Sequence, residues 1–281
     1  NNTPTMFHSI DHKFCSFCRH LSMLLCISCI LASCIEYHPY DTRVKGEKDI
    51  NTKNIKKIEE QCAGKRSIKF AVISDTQRWY DETQMAVDNI NSRDDIDFVL
   101  HTGDLSDFGM RNEFEWQRDI LNKLKVPYVC IIGNHDCLAS GDLNFKKIFG
   151  EFNFAFTAGN IRFICLNTNA LEFGHDVPVP DFDFIEKQII NFPKDAEKTV
   201  IAMHAAPFSD QFNSNAAKVF QYGVNKFPGL QFCVNGHDHQ FSAEDKFNDG
   251  TVYFECANIQ KMGYLLFCIN EEGYTHEIVN F

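Results

Sequence analysis

Five apolar runs in this chain share one property: each ends in a polar cluster built from Asp, Asn, His, Gly, Ser, Thr or Gln. Ile68 to Ile73 runs into Ser74-Asp75-Thr76-Gln77, and Ile96 to Leu100 into His101-Thr102-Gly103-Asp104-Leu105-Ser106-Asp107. Val126 to Ile132 runs into Gly133-Asn134-His135-Asp136, Thr199 to Met203 into His204, and Leu230 to Val234 into Asn235-Gly236-His237-Asp238-His239. Short apolar runs bounded in this way read as buried strands. In open α/β sheets, sites form where parallel strands release the chain at their carboxyl ends. The five runs therefore predict one edge where Asp75, Asp104, Asn134, His204, His237 and His239 meet.

The segments between the runs fit that expectation. Residues 80–92 and 111–124 read as helices, the second with Phe114, Leu121 and Leu124 on one face. The β-α-β-α-β order predicts parallel strands joined by crossover helices. Phe154 to Leu166, broken at Ala158-Gly159-Asn160, reads as a hairpin, and residues 172–180 as an acidic, Pro-containing loop. Helices are expected at 182–191 and 214–227, and short strands at Thr251–Glu255, Gly263–Ile269 and Thr275–Val279. The fold class predicted is α/β: two packed mixed β-sheets flanked by helices, an α-β-β-α sandwich over residues 67–281. Most of the 27 phenylalanines fall in these runs and are expected to pack between layers.

The first 33 residues read differently. Lys13, Arg19 and His20 precede an apolar run from Leu21 to Ala32, interrupted only by Ser22 and Ser28. A bilayer span needs about 20 residues, whereas the apolar part of a secretory signal is roughly 7–15 long. Residues 1–33 are thus expected to be a signal peptide. The end of the run, Leu31-Ala32-Ser33-Cys34, resembles a bacterial lipobox, which implies a lipid on Cys34 and an exported, membrane-anchored lipoprotein. Residues 34–66 are polar and predict a tether with a short helix, Ile55, Ile58 and Cys62 lying on one helix face. The later cysteines at 130, 165, 233, 256 and 268 sit inside apolar runs, where a free thiol behaves as a small hydrophobe.

The net charge of -11 excludes a nucleic-acid polymer as partner, since no basic patch is available for its backbone. It does not exclude a small phosphate ester, because bound cations reverse the local field. Carboxylate, amide and imidazole without cysteine suit a catalytic metal rather than a closed structural zinc site. One Asp can bridge two cations about 3.5–4 Å apart, and such a pair holds a phosphoryl oxygen and lowers the pKa of bound water to about 7, giving a hydroxide nucleophile.

The order Asp-x-(His), Gly-Asp-x-x-Asp, Gly-Asn-His-Asp, His, Gly-His-x-His resembles that of the calcineurin-like metallophosphoesterase superfamily, over residues 68–269. The resemblance implies two divalent metal ions (manganese, iron or zinc). It places Asp75 and His239 on the first, Asp104 between them, and Asn134, His204 and His237 on the second. It makes His135 the proton donor to the leaving oxygen, with Asp107 orienting it. The chain departs from the pattern at Gln77, where the family usually has His. A neutral amide oxygen is the weaker donor expected there, favouring an oxygen-tolerant metal such as manganese. Arg78, Trp79 and Tyr80 follow this motif directly and are expected to contact substrate, the Arg by pairing with phosphate and the rings by stacking. The function expected is hydrolysis of a small phosphomonoester or phosphodiester. The alternative is a lipid-anchored protein that binds a phosphate ligand but has lost turnover through Gln77.

Overall fold

The computed structural model describes residues 17–28 and 38–281. The chain divides into two compact units, Asn1–His38 and Pro39–Phe281. In the first, residues 17–28 form an exposed helix, α1. No helix among the described residues is long and apolar enough to cross a membrane. Cys34 and the lipobox-like residues lie outside the described residues.

The second unit holds two sheets. In the first sheet, β1 (Ile68–Ile73), β2 (Phe98–His101) and β3 (Tyr128–Cys130) run parallel, joined by α3 (Tyr80–Asn91) and α4 (Arg111–Leu121). Its other edge is the antiparallel pair β10 (Gly263–Asn270) and β11 (Gly273–Asn280), giving the order β11-β10-β1-β2-β3. The second sheet begins with the hairpin β4 (Phe154–Ala158) and β5 (Ile161–Leu166). It continues through β6 (Lys198–Met203), β7 (Leu230–Asn235) and β9 (Tyr253–Glu255), all parallel to β5, and ends on the short antiparallel β8 (Ser242–Glu244).

Alternation along each strand builds three layers of core. On β1, Phe70 and Val72 enter the layer between the sheets, while Ala71 and Ile73 enter the layer beneath the helices. The period of two is what a strand buried on both faces requires. The inter-sheet layer is aromatic: Phe70 stacks on Phe98 at 5.1 Å between centroids and meets Phe163 edge-on, also at 5.1 Å. Phe232 and Phe267 stack at 4.5 Å further along. Each buried side chain of this size contributes about 1.5–3 kcal/mol. Outside the second sheet, Ile164, Ile201 and Met203 pack under Ile185 of α6 (Phe182–Ile190) and Phe220 and Val224 of α7 (Ala217–Val224). Residues 214–216, expected as the start of that last helix, form a 3-10 turn instead.

Helix α2 (Ile50–Gln61) covers the free edge of β3. The Asn51 amide donates to the Cys130 carbonyl at 2.8 Å and its oxygen accepts from the Cys130 N–H at 2.9 Å. Asn54 donates to the Tyr128 carbonyl, and Ile58 reaches the inter-sheet layer. Ahead of the helix, Asp41 pairs with buried Arg111 of α4 at 3.1 Å. The short helix expected within residues 34–66 is α2, and residues 39–66, read from their polarity as a tether with that helix, belong to the compact unit. Asp41, Asn51 and Asn54 are buried against strand-edge backbone and charge, which composition does not distinguish from the exposed polar residues around them. A further helix, α5 (Gly141–Ile148), and strand β8 were not expected; both are short, α5 burying only the two apolar side chains Phe145 and Ile148 and β8 none, too few to mark a period.

Candidate metal centre

The carboxyl ends of β1, β2, β3, β6 and β7 meet at one edge of the two sheets. Backbone geometry there is unusual. Ten non-glycine residues among those described have positive φ, and five are ligand candidates: Asp75, Gln77, Asp104, His237 and His239. Left-handed backbone is costly for residues with a side chain and persists where surrounding contacts enforce it. Close approach is enforced too. A Cβ on Gly133 would lie 2.1 Å from Asp104 Oδ1, and one on Gly103 would lie 2.6 Å from His204 Nδ1.

Hydrogen bonds fix which nitrogen of each ring faces inward. His204 Nδ1–H donates to the Thr102 carbonyl at 2.8 Å, so Nε2 is the nitrogen that faces inward. That Nε2 lies 3.0 Å from Asn134 Oδ1 and 3.4 Å from Asp104 Oδ1. His237 turns Nε2 to the Asp210 carboxylate at 2.6 Å, leaving Nδ1 at 3.1 Å from the same Asn134 oxygen. On the other side, His239 Nε2 lies 3.2 Å from Asp75 Oδ1. The Gln77 Nε2–H donates to Asp104 Oδ2 at 3.2 Å, so this contact presents an N–H and not the amide oxygen expected to hold a cation.

These residues fit divalent cations. Asp75 Oδ1 is buried with no donor in hydrogen-bond geometry. Its other oxygen accepts from Ser74 Oγ at 2.5 Å and the His237 N–H at 3.2 Å. Ligand atoms of Asp75, Asp104 and His204 lie within 4.8 Å of one another, all three residues buried. Around Asn134, an amide oxygen and two imidazole nitrogens converge, an array that would hold a cation once it displaces the ring proton of His204. The charge balance agrees. Burial acts to lower the His204 pKa, yet the Asp104 and Asp75 carboxylates lift it to about 10. Burial likewise opposes the Asp75 charge, but His239 and His204 hold that carboxyl at about 2. The centre demands positive charge.

Buried polar residues brace the ligand loops. The Gly103 N–H donates to His101 Nδ1 at 3.1 Å, so Nε2–H donates to Thr76 Oγ1 at 2.9 Å, tying the β1 and β2 loops. Burial pushes the His101 pKa down to about 4, keeping it neutral. The Asp136 carboxylate accepts from the Ser106 N–H and hydroxyl and from the Gly133 N–H, tying the β2 and β3 loops. Burial, then Asp104, pushes Asp136 up to about 7.

His135 stands beside the centre. Its backbone N–H donates to Asp104 Oδ1 at 2.9 Å, and its ring Nδ1–H donates to the Asp107 carbonyl at 2.9 Å. Orientation of this ring therefore comes from the Asp107 backbone, a correction to the side-chain role expected. The carboxylate instead pairs with Arg78 Nη2 at 2.6 Å. Arg78 remains largely exposed, whereas the Asp107 side chain is buried. The aromatic pair after it is placed differently from expectation. Trp79 packs against the core under α3 and α4, and the Tyr80 ring meets Trp116 of α4 edge-on at 5.6 Å. Trp79 stands at the N-cap of α3 and Tyr80 opens the helix, which sets them on the α4 side, so only Arg78 of the three is tied to the centre. Asp210 was missed: an exposed Asp six residues beyond His204 carries no motif.

A two-sheet α/β sandwich with carboxylates, an amide and imidazoles gathered at its strand ends defines a class of metal-dependent phosphoesterases. The chain belongs to the calcineurin-like phosphoesterase family, whose pattern it matches over residues 68–241. It is 28% identical over 159 residues to a 3',5'-cyclic-nucleotide phosphodiesterase of Nostoc sp., covering 53% of this chain and 58% of that protein. It is 22% identical over 173 residues to a protein of Arcobacter nitrofigilis named "Probable glycerophosphodiester phosphodiesterase GpdQ", covering 56% and 60%. The chain thus spans under two thirds of the length of these relatives. In fold it is similar to a dimetal phosphatase from Danio rerio, with a TM-score of 0.56 at 12% identity, covering 76% of this chain and 99% of that one.

Proposed function

We propose that the protein hydrolyses a small phosphodiester with two divalent cations held around Asp104. The observation that carries this reading is the buried cluster of Asp75, Asp104 and His204, with Asn134, His237 and His239 against it and the His135 ring fixed beside it. Asp75, Gln77, His239 and Asp104 would hold one cation; Asp104, Asn134, His204 and His237 the other. Divalent cations held there supply Lewis acidity toward phosphoryl oxygen and water. Gln77, as a neutral donor, favours manganese at the first position.

The chain's own groups supply the rest. His135 spends Nδ1–H on the Asp107 carbonyl, so its Nε2 is the end that can deliver a proton to the leaving oxygen. Arg78, anchored on Asp107, offers its remaining N–H groups to a phosphoryl oxygen. A diester is favoured over a monoester by the two phosphodiesterases to which the chain is similar. The lipobox-like segment supports an exported lipoprotein anchored through Cys34.

Turnover of bis(4-nitrophenyl) phosphate and 4-nitrophenyl phosphate with added manganese tests the reading. Diester cleavage, lost in Asp104→Ala, is expected. Equal rates in that variant and the parent would overturn it. Mass spectrometry of membrane-extracted protein tests the anchor, and a Cys34 still joined to residues 1–33 would contradict it.

A further inference from the structure

Asp210 lies on the loop between β6 and α7, outside every motif, and yet its carboxylate sits 2.6 Å from His237 Nε2. The ring it touches is oriented for a purpose at its other end, where Nδ1 faces Asn134 Oδ1 at 3.1 Å. An ionised carboxylate has no proton to donate and can only accept, so Nε2 carries the hydrogen and the neutral ring keeps its lone pair on Nδ1. The same logic operates on His204, whose Nδ1–H is fixed by the Thr102 carbonyl. His237 has no backbone carbonyl in that role among its recorded partners; Asp210 takes the role instead.

The loop holds Asp210 in place by construction. Phe212, two residues on, is buried with Phe220 of α7, their rings 5.2 Å apart. The Ala170 N–H donates to the Gln211 carbonyl at 2.9 Å. Two residues before, Phe208 adopts a φ of 75 and packs its ring on Phe247 at 5.1 Å. A bulky residue in left-handed backbone is a local cost that points to a constraint at that turn. Asp210 is thus bracketed by two aromatic anchors that position a carboxylate which contributes little to the core, its side chain being 82% exposed.

We infer that Asp210 is a positioning residue for the second cation, acting through His237 by fixing its tautomer and raising the basicity of Nδ1. This rests on the reading of His237 as a cation ligand. A carboxylate behind a ligand imidazole is worth 10–100-fold in metal affinity.

The test is manganese binding to metal-stripped full-length protein, by competition with a chelating dye, for Asp210→Ala, Asp210→Asn, Asp210→Glu and His237→Ala. Thermal unfolding of each stripped variant is followed alongside. The expected result is a 10–100-fold loss of affinity at one of two sites in Asp210→Ala, less loss in Asp210→Asn, and recovery in Asp210→Glu. The unfolding midpoint of the stripped protein should not move. If His237→Ala loses that site while Asp210→Ala binds like the parent, the role of Asp210 is refuted and the ligand reading stands. If His237→Ala also binds like the parent, the ligand reading itself fails. Equal weakening of both sites, or a lowered midpoint in stripped Asp210→Ala, would assign Asp210 a general structural role and likewise overturn the inference.

Discussion

His135 Nδ1–H rests on the backbone carbonyl of Asp107 at 2.9 Å, so no substitution of the Asp107 side chain removes that acceptor. The carboxylate serves Arg78 instead. Asp107→Asn and Arg78→Ala should therefore act alike, raising KM roughly tenfold with a smaller effect on kcat, as expected for one charge-assisted contact. His135→Ala should instead lower kcat by about 10²–10⁴-fold for esters with poor leaving groups, and far less for activated aryl esters. Its metal content should stay at the parental value. Steady-state kinetics across aryl phosphodiesters of graded leaving-group pKa separate the two behaviours.

The Gln77 Nε2–H donates to Asp104 Oδ2, and a half-turn of the amide would present its oxygen to the first cation. Imidazole is the stronger donor to a borderline metal, so Gln77→His should tighten that site and shift it toward zinc. Gln77→Ala should weaken it and spare the second site, whose other ligands come from different strands. Competitive chelation reads each site, and unchanged affinity in both variants would place Gln77 outside the donor set.

Chelator treatment should abolish turnover, and manganese should restore it. Cations that bind only the folded state also stabilise it, by about 2.7 kcal/mol at a hundred times Kd. The midpoint of thermal unfolding should rise with manganese concentration, and Asp104→Ala should blunt that rise at both sites.

Glu255 on β9 accepts from the Gln240 N–H, just after His239. Burial, then the Asp238 charge, pushes its carboxyl up from the usual 4.5 to about 7, while the Gln240 N–H and Ser242 hydroxyl work the other way. The folded chain thus holds a proton that the unfolded chain releases between those values. The Glu255 contribution to the stability of metal-stripped protein should fall as pH rises from about 4.5 to about 7, by on the order of 1–2 kcal/mol once discounted for solvent screening, alongside that of Asp136. Urea unfolding at pH 5 and pH 8 measures the slope, and Glu255→Gln should make it shallower.

Asn51 pairs with both backbone groups of Cys130 inside the protein. Asn51→Ala leaves a buried N–H and a buried carbonyl without partners, at about 1–3 kcal/mol for each group. Denaturant unfolding should show a loss of about 2–4 kcal/mol, large for one exposed-looking polar residue in a sequence.

The strand-end clusters were legible because apolar runs and ligand residues lie adjacent in the chain. Asp75, Asp104, Asn134, His204, His237 and His239 needed no knowledge of distant contacts. The parallel order of β1, β2 and β3 followed from the helices between them. What escaped depended on contacts across long separations. Asp107 looked like a side-chain partner for His135, but strand-end geometry put its carbonyl there. Trp79 and Tyr80 adjoin the first motif, but the start of α3 carries them toward α4. Asp210 and His101 act on rings and loops that only the folded chain brings near.

The amides that α2 turns toward β3 carry a practical consequence for where the protein can be cut. The family pattern begins at residue 68, and a fragment started there would retain every ligand residue. It would also lose Asn51 and Asn54, baring the backbone of β3 along its outer side. Unpaired strand backbone is a template on which another chain can add a strand. Such a fragment would be prone to concentration-dependent self-association, with its metal residues intact and its solubility lost through an edge on the far side of α4.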